Sequence, residues 1–150
     1  MGLLGKLFAS KTADIKKSAA TAEQNLEKRI SKDLVEAVIS GSLLVSFADG
    51  TCDDDEITSL LNLLEAEESF TAWASDVPGL VDRYSKKLRA GYKLGKLSAL
   101  RELGDLRSSP ADAELAFACI ETVADNGGIS DEERAVLKEI AGALGVAYRG

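Results

Sequence analysis

The sequence predicts an all-α fold, a compact bundle of about seven to eight helices that contains two helix–loop–helix repeats. Three observations lead there. Apolar residues recur at helical spacing along most of the chain, aromatics make up only 5% of a composition rich in Ala, Leu, Glu, Lys and Ser, and just two prolines interrupt 150 residues. A chain of this length buries one core without disulfides or a structural metal. The expected organisation is therefore an amphipathic basic arm over residues 1–32 followed by a single helical domain over residues 33–150.

In the arm, Leu3, Leu4, Leu7 and Phe8 stand at helical spacing, followed by Ile15, Ala19, Ala22, Leu26 and Ile30, with Lys6, Lys11, Lys16 and Lys17 among them. Such a segment either packs on the body or rests on an anionic membrane surface. From Asp33 to Ala48 the apolar positions are wider than one stripe, which predicts a central helix stopped near Asp49-Gly50. Asp53 and Glu56 have capping-box spacing, and Ile57, Leu60, Leu61 and Leu64 give the next helix one apolar face. The stretch Glu65–Gly79, with Phe70 and Trp73 in a short helical fragment, reads as a connector. Helices over Leu80–Tyr92 and Leu94–Leu106 follow, carrying Arg83, Lys86, Lys87, Arg89, Lys93 and Lys96. Ser109-Pro110 opens a second strongly apolar helix that includes Leu115, Phe117, Cys119, Ile120 and Val123. Ser130 and Glu133 form a capping box for a last helix, which Gly145 ends.

A shift of 77 residues lays Asp49-Gly50-Thr51-Cys52-Asp53-Asp54-Asp55-Glu56 on Asn126-Gly127-Gly128-Ile129-Ser130-Asp131-Glu132-Glu133. Each turn has the second half of an EF-hand. The first and third ligand positions fall on Val45 and Phe47 in one copy and on Thr122 and Ala124 in the other, so an autonomous calcium loop is not expected. Oxygen donors for a hard divalent cation, calcium or another, nevertheless collect in the two turns. The candidate metal ligands are Asp49, Asp53, Asp54, Glu56, Asn126, Asp131 and Glu133. If the turns face each other, a cation relieves their mutual repulsion. The alternative is that these acids only cap helix N-termini, where negative charge is worth roughly 0.3–1 kcal/mol.

The chain carries a formal net charge of −7, unevenly placed. Residues 1–32 hold seven basic and three acidic residues, a surplus of plus four, while the remainder holds eleven basic and twenty-two acidic, or minus eleven. That balance argues against binding nucleic acid. Two cysteines without Cys-x-x-Cys spacing fit a reducing cytoplasm, and no apolar run approaches the roughly 20 residues of a membrane span.

Ala48-Asp49-Gly50 with Asp53-Asp54-Asp55-Glu56, echoed by Asn126-Gly127 with Asp131-Glu132-Glu133, resembles the signature of the TerB family of bacterial tellurite-resistance proteins. The resemblance covers about Asp33–Val146 and departs from the family at Asn126, where an aspartate is expected. It implies a helical cytoplasmic protein, peripheral at the inner membrane face, with a role in resistance to tellurite and other stresses. Its implied partners are other tellurium-resistance proteins, including a membrane protein. It implies no established reaction, and an enzyme is not expected: the chain has no histidine, no nucleophile elbow and no phosphate-binding glycine loop. Cys52, placed like Ile129 in the repeat, and Cys119, on a core-facing helix, read as small hydrophobes, not redox groups. Two functions stay open. One is a cation-responsive module in a membrane-associated assembly, with Met1–Lys32 as a possible contact to anionic membrane; the other is a metal-free structural adaptor.

Overall fold

A computed structural model of the chain describes residues 31–49, 52–66, 68–125 and 128–149. Among them are six α-helices and one short 3-10 helix, and no strand. The helices are α1 (Lys32–Ser46), α2 (Asp54–Ala66), α3 (Val77–Ala90), α4 (Tyr92–Gly104), α5 (Pro110–Ala124) and α6 (Asp131–Leu144), with the 3-10 helix Glu68–Trp73 between α2 and α3. The all-helical expectation is met, while the count among the described residues is lower than seven to eight α-helices. Apart from Ser31 and Lys32, the arm lies outside the described residues.

Helix α1 is the axis of the bundle. Every residue from Leu34 to Val45 is buried, because α3, α4, α5 and α6 all pack on it. Its N-terminus is set by Ser31, whose hydroxyl accepts the Leu34 N–H at 3.2 Å. At its crossing with α5, Gly41 stands so close to Ile120 that a Cβ there would fall on Ile120 Cδ1.

The two helix–loop–helix units are packed differently. Helix α6 lies on α4, α5 and α1 and buries Val136, Leu137, Ile140, Ala141 and Leu144. Helix α2 rests mainly on α3 and the 3-10 helix, touches α1 lightly, and buries only Leu60 and Leu64. The physical reason is the sequence of α2, in which polar residues flank a narrow leucine face.

Boundaries differ from expectation in two places. Helix α3 begins at Val77, not Leu80, because Pro78 sits in its first turn, where the missing N–H would have had no helical partner. The α3–α4 break falls at Gly91, two residues before Lys93, and Gly91 takes an extended conformation there. Gly145, at φ 74°, ends α6 in the left-handed region as anticipated.

Helices α3 and α4 approach unusually closely at Gly95. A Cβ on Gly95 would stand 2.8 Å from Leu88 Cα and 2.9 Å from Leu88 N. Backbone atoms cannot step aside as a side-chain end does, so Gly95→Ala should lower stability by about 1–3 kcal/mol, the usual overpacking cost. Gly142 in α6 has open space at its Cβ position. Gly142→Ala should instead raise stability by about 0.5–1 kcal/mol through reduced unfolded-state entropy. Chemical denaturation of the two variants checks both signs, and equal effects would contradict the close approach.

Candidate functional site

The turn between α1 and α2 and the turn between α5 and α6 open onto one side of the molecule and share a cleft of about 1170 Å³. The first unit contributes Asp49, Asp53, Asp55 and Glu56; the second contributes Glu132 and Glu133. Val45, Leu60, Leu63, Val123 and Ala124 are apolar residues among the cleft's lining. Ser42 also lines it, and the buried Ser42 hydroxyl has no hydrogen-bond partner among the described residues.

Local chemistry positions the acids. Asp53 Oδ1 accepts the Glu56 N–H at 2.8 Å, capping α2. At α6 the capping box is complete: the Glu133 N–H donates to Ser130 Oγ at 3.1 Å, and the Ser130 N–H donates to Glu133 Oε1 at 2.9 Å. Each cap engages one carboxylate oxygen of Asp53 or Glu133, and a carboxylate has two. Capping therefore explains where these acids stand without using all their acceptor capacity.

The predicted ligand set divides. Asp49, Asp53, Glu56 and Glu133 line the cleft. Asp54 does not: it holds Arg89 at 2.8 Å, and Arg89 also donates to the Cys52 carbonyl, tying the first turn to α3. Asp131 is not on the lining either and lies 3.7 Å from Arg134. Asn126, like Gly50, Thr51 and Gly127, is outside the described residues. Asp55, Glu132 and Ser42 join the cleft without having been singled out; only the tertiary approach of the two units reveals them. Val45 and Phe47, at the EF-hand positions that lack oxygen, are buried in the core.

Several acids outside the cleft are met by the body's own cations: Asp54 by Arg89, Asp82 by Lys86 at 3.0 Å, Glu139 by Lys96 at 2.7 Å, and Glu36 by Arg83 at 3.9 Å. Among the described residues, no lysine or arginine pairs with Asp53, Asp55, Glu56, Glu132 or Glu133. Nor do three or more of the described carboxylates and thiols converge closely enough to hold an ion as they stand. The cleft is an electronegative space with hard oxygen donors on opposing walls, too wide to be a finished coordination sphere.

Cys52 sits behind this wall, buried. Burial, followed by a hydrogen bond with Glu56 and its charge, pushes the thiol pKa up to about 12. It is a protonated, poorly nucleophilic thiol at neutral pH. Cys119 is fully buried.

A second polar cluster, unforeseen from the sequence, lies where α1, α3 and α4 meet. Glu36 is buried on α1, Tyr84 is buried on α3, and half-buried Glu102 faces them from α4. Burial first, then the negative charges of Glu36 and Asp105, raise the Glu102 pKa above its ordinary value of 4.5. Tyr84 is shifted upward too, chiefly by burial, and the Glu102 carboxylate lies near its hydroxyl without forming a hydrogen bond of good geometry. A carboxyl with a raised folded-state pKa binds more protons folded than unfolded, so its stabilising contribution is complete below pH 4.5 and is lost as pH rises through the folded value. Glu102→Gln should therefore raise the melting temperature at pH 7 and leave it nearly unchanged at pH 4. The same gain at both values would show that charge is not the cause.

Leu94 and Leu97 of α4 are 76% and 60% exposed, and Leu94 borders a shallow groove with Lys87, Ala90 and Ser98. Among the described residues, no helix is long and apolar enough to cross a membrane. Compared with family models, with curated proteins and with solved structures, the chain matches none.

Proposed function

We propose that this chain is a non-enzymatic stress-resistance protein of the TerB type, whose acidic cleft takes up a divalent cation and so changes what the protein presents to a membrane-associated assembly. The observation that carries the reading is the shared cleft: two acidic turns 77 residues apart in sequence face one space, and five of its carboxylates lack a counter-cation among the described residues. The donor set is carboxylate and hydroxyl oxygen, which suits calcium, magnesium or manganese better than a thiophilic ion. Asp53, Glu56 and Glu133 are the residues that would hold the ion, with Asp49, Asp55 and Glu132 supplying charge. A cation bridging the walls would draw the two turns together.

In this reading the protein works in the cytoplasm with other tellurium-resistance proteins, including a membrane protein. Calorimetric titration with calcium, magnesium, manganese and zinc should give saturable heat with at least one hard divalent ion, together with a higher melting temperature by mass action. Absence of heat and of stabilisation with all four would remove the cation reading. The competing role, a metal-free adaptor, draws on the completed caps at α2 and α6. Loss of tellurite resistance on deletion in a tellurite-resistant host, restored by the intact gene, tests the physiological half of the proposal.

A further inference from the structure

From Val77 to Gly104, helices α3 and α4 carry seven basic residues against two acidic ones, Asp82 and Glu102. Four of the seven are met by carboxylates: Arg83 by Glu36, Lys86 by Asp82, Arg89 by Asp54 and Lys96 by Glu139. Among the described residues, the other three, Lys87, Lys93 and Arg101, form no ion pair. Those three stand around the two exposed leucines. Going round α4 at about 100° per residue, Gly95, Ala99 and Leu103 face the core, and Lys93, Leu94, Leu97 and Arg101 fall together on the exposed side. Lys87 reaches the same side from α3, where it donates to Ser98 Oγ at 3.2 Å and borders the shallow groove with Leu94.

We infer that this face of α3 and α4 is a docking surface for an anionic lipid bilayer, with Leu94 and Leu97 entering the boundary between headgroups and acyl chains and Lys87, Lys93 and Arg101 meeting lipid phosphates. Charge complementarity and size select that occupant. Specific protein interfaces bury about 800 Å² on each side around aromatic or arginine anchors seated in pockets. Two leucines beside a groove lined by six residues fall short of that. A second copy presenting the same face would set cations against cations. A fluid bilayer needs no matching shape, and apolar side chains flanked by cations are the elements with which peripheral helices hold it.

The acidic body does not forbid the contact. None of the residues lining the acidic cleft belongs to α3 or α4, and at physiological salt charges more than about 8 Å away are largely screened. The surface therefore stands whether or not the cleft takes up an ion.

The test is sedimentation of the full chain with vesicles of equal parts phosphatidylglycerol and phosphatidylcholine, in the presence of EDTA. The chain should partition onto them and not onto phosphatidylcholine alone. Leu94→Gln with Leu97→Gln, and separately Lys93→Gln with Arg101→Gln, should each lower partitioning by at least about tenfold. Both pairs are exposed and glutamine is a good helix former, so the variants should melt near the parent temperature. A polarity-sensitive fluorophore on Ala90→Cys, selective because Cys52 and Cys119 are buried, should shift to the blue on vesicles; the same dye on Ser59→Cys in the cleft should not. Failure to bind, equal binding to neutral vesicles, or undiminished binding by both double variants, which would assign the contact to residues 1–32, would overturn the inference. So would leucine-dependent dimers in sedimentation velocity, or saturable binding of a helical leucine–glutamate peptide by a chain that ignores vesicles, which would make a second copy or an acidic protein segment the occupant. Failure of this surface and failure of the cation site are separable, because partitioning is read with divalent ions chelated and calorimetry reads the ions themselves.

Discussion

Ile120→Ala is expected to be among the most destabilising single substitutions in the protein, lowering unfolding free energy by about 2–5 kcal/mol. Ile120 is fully buried on α5, and its Cδ1 fills the space that the missing side chain of Gly41 leaves on α1. Truncation opens a void at the crossing on which the central helix depends, and the backbones of two packed helices cannot close it. Against a total stability of about 5–15 kcal/mol, the loss is a large fraction. Gly41→Ala should also destabilise, by about 1–3 kcal/mol, for the opposite reason, because its methyl competes with Ile120 for the same volume. The two changes should therefore couple: the double variant should be more stable than the sum of the singles predicts, by about 0.5–3 kcal/mol. Urea denaturation of the four proteins measures this, and strict additivity would mean that these residues do not share the space.

The second large effect concerns the cleft and separates the two functional readings. Asn caps a helix about as well as Asp, and Gln replaces Glu in a capping box. Asp53→Asn with Glu133→Gln should thus preserve the bonds that begin α2 and α6 while removing two charges from opposing walls. If the acids serve only as caps, the double variant melts close to the parent and nothing else changes. If the cleft takes up a divalent cation, its affinity should fall by at least about a hundredfold, because ligand charge is a main determinant of affinity at such sites. Unchanged calorimetric affinity in a variant that retains its fold would assign the heat to some other part of the molecule.

The same residues show how far sequence reasoning reaches. The capping box at Ser130 and Glu133 and the glycine stop at Gly145 were legible because each is a local event, decided by residues within one turn. The central position of α1 was legible because its apolar positions extend around the helix. Ser109, an equally plausible cap by sequence, occupies the cap position without a side-chain hydrogen bond. Pro78, read as part of a connector, lies inside the first turn of α3.

Four of the seven candidate ligands line the cleft. Asp49, Asp53, Glu56 and Glu133 reach the cleft, whereas Asp54 and Asp131, one residue away from cleft-lining neighbours, are taken by Arg89 and Arg134. Successive residues on a helix point about 100° apart, so which of several consecutive acids faces the cleft depends on the rotation of α2 and α6 about their axes. Packing sets that rotation.

By itself, then, the sequence determined the helical class, the helix caps, the central strand of apolar packing along α1 and the presence of two acidic turns, since all of these arise from neighbouring residues and helical periodicity. Tertiary structure alone decided that the turns share one cleft, which acids are paired and which are not, and that Glu36, Tyr84 and Glu102 meet inside the bundle. Those outcomes depend on contacts between residues tens of positions apart, where the angle at which helices cross determines which side chains become neighbours.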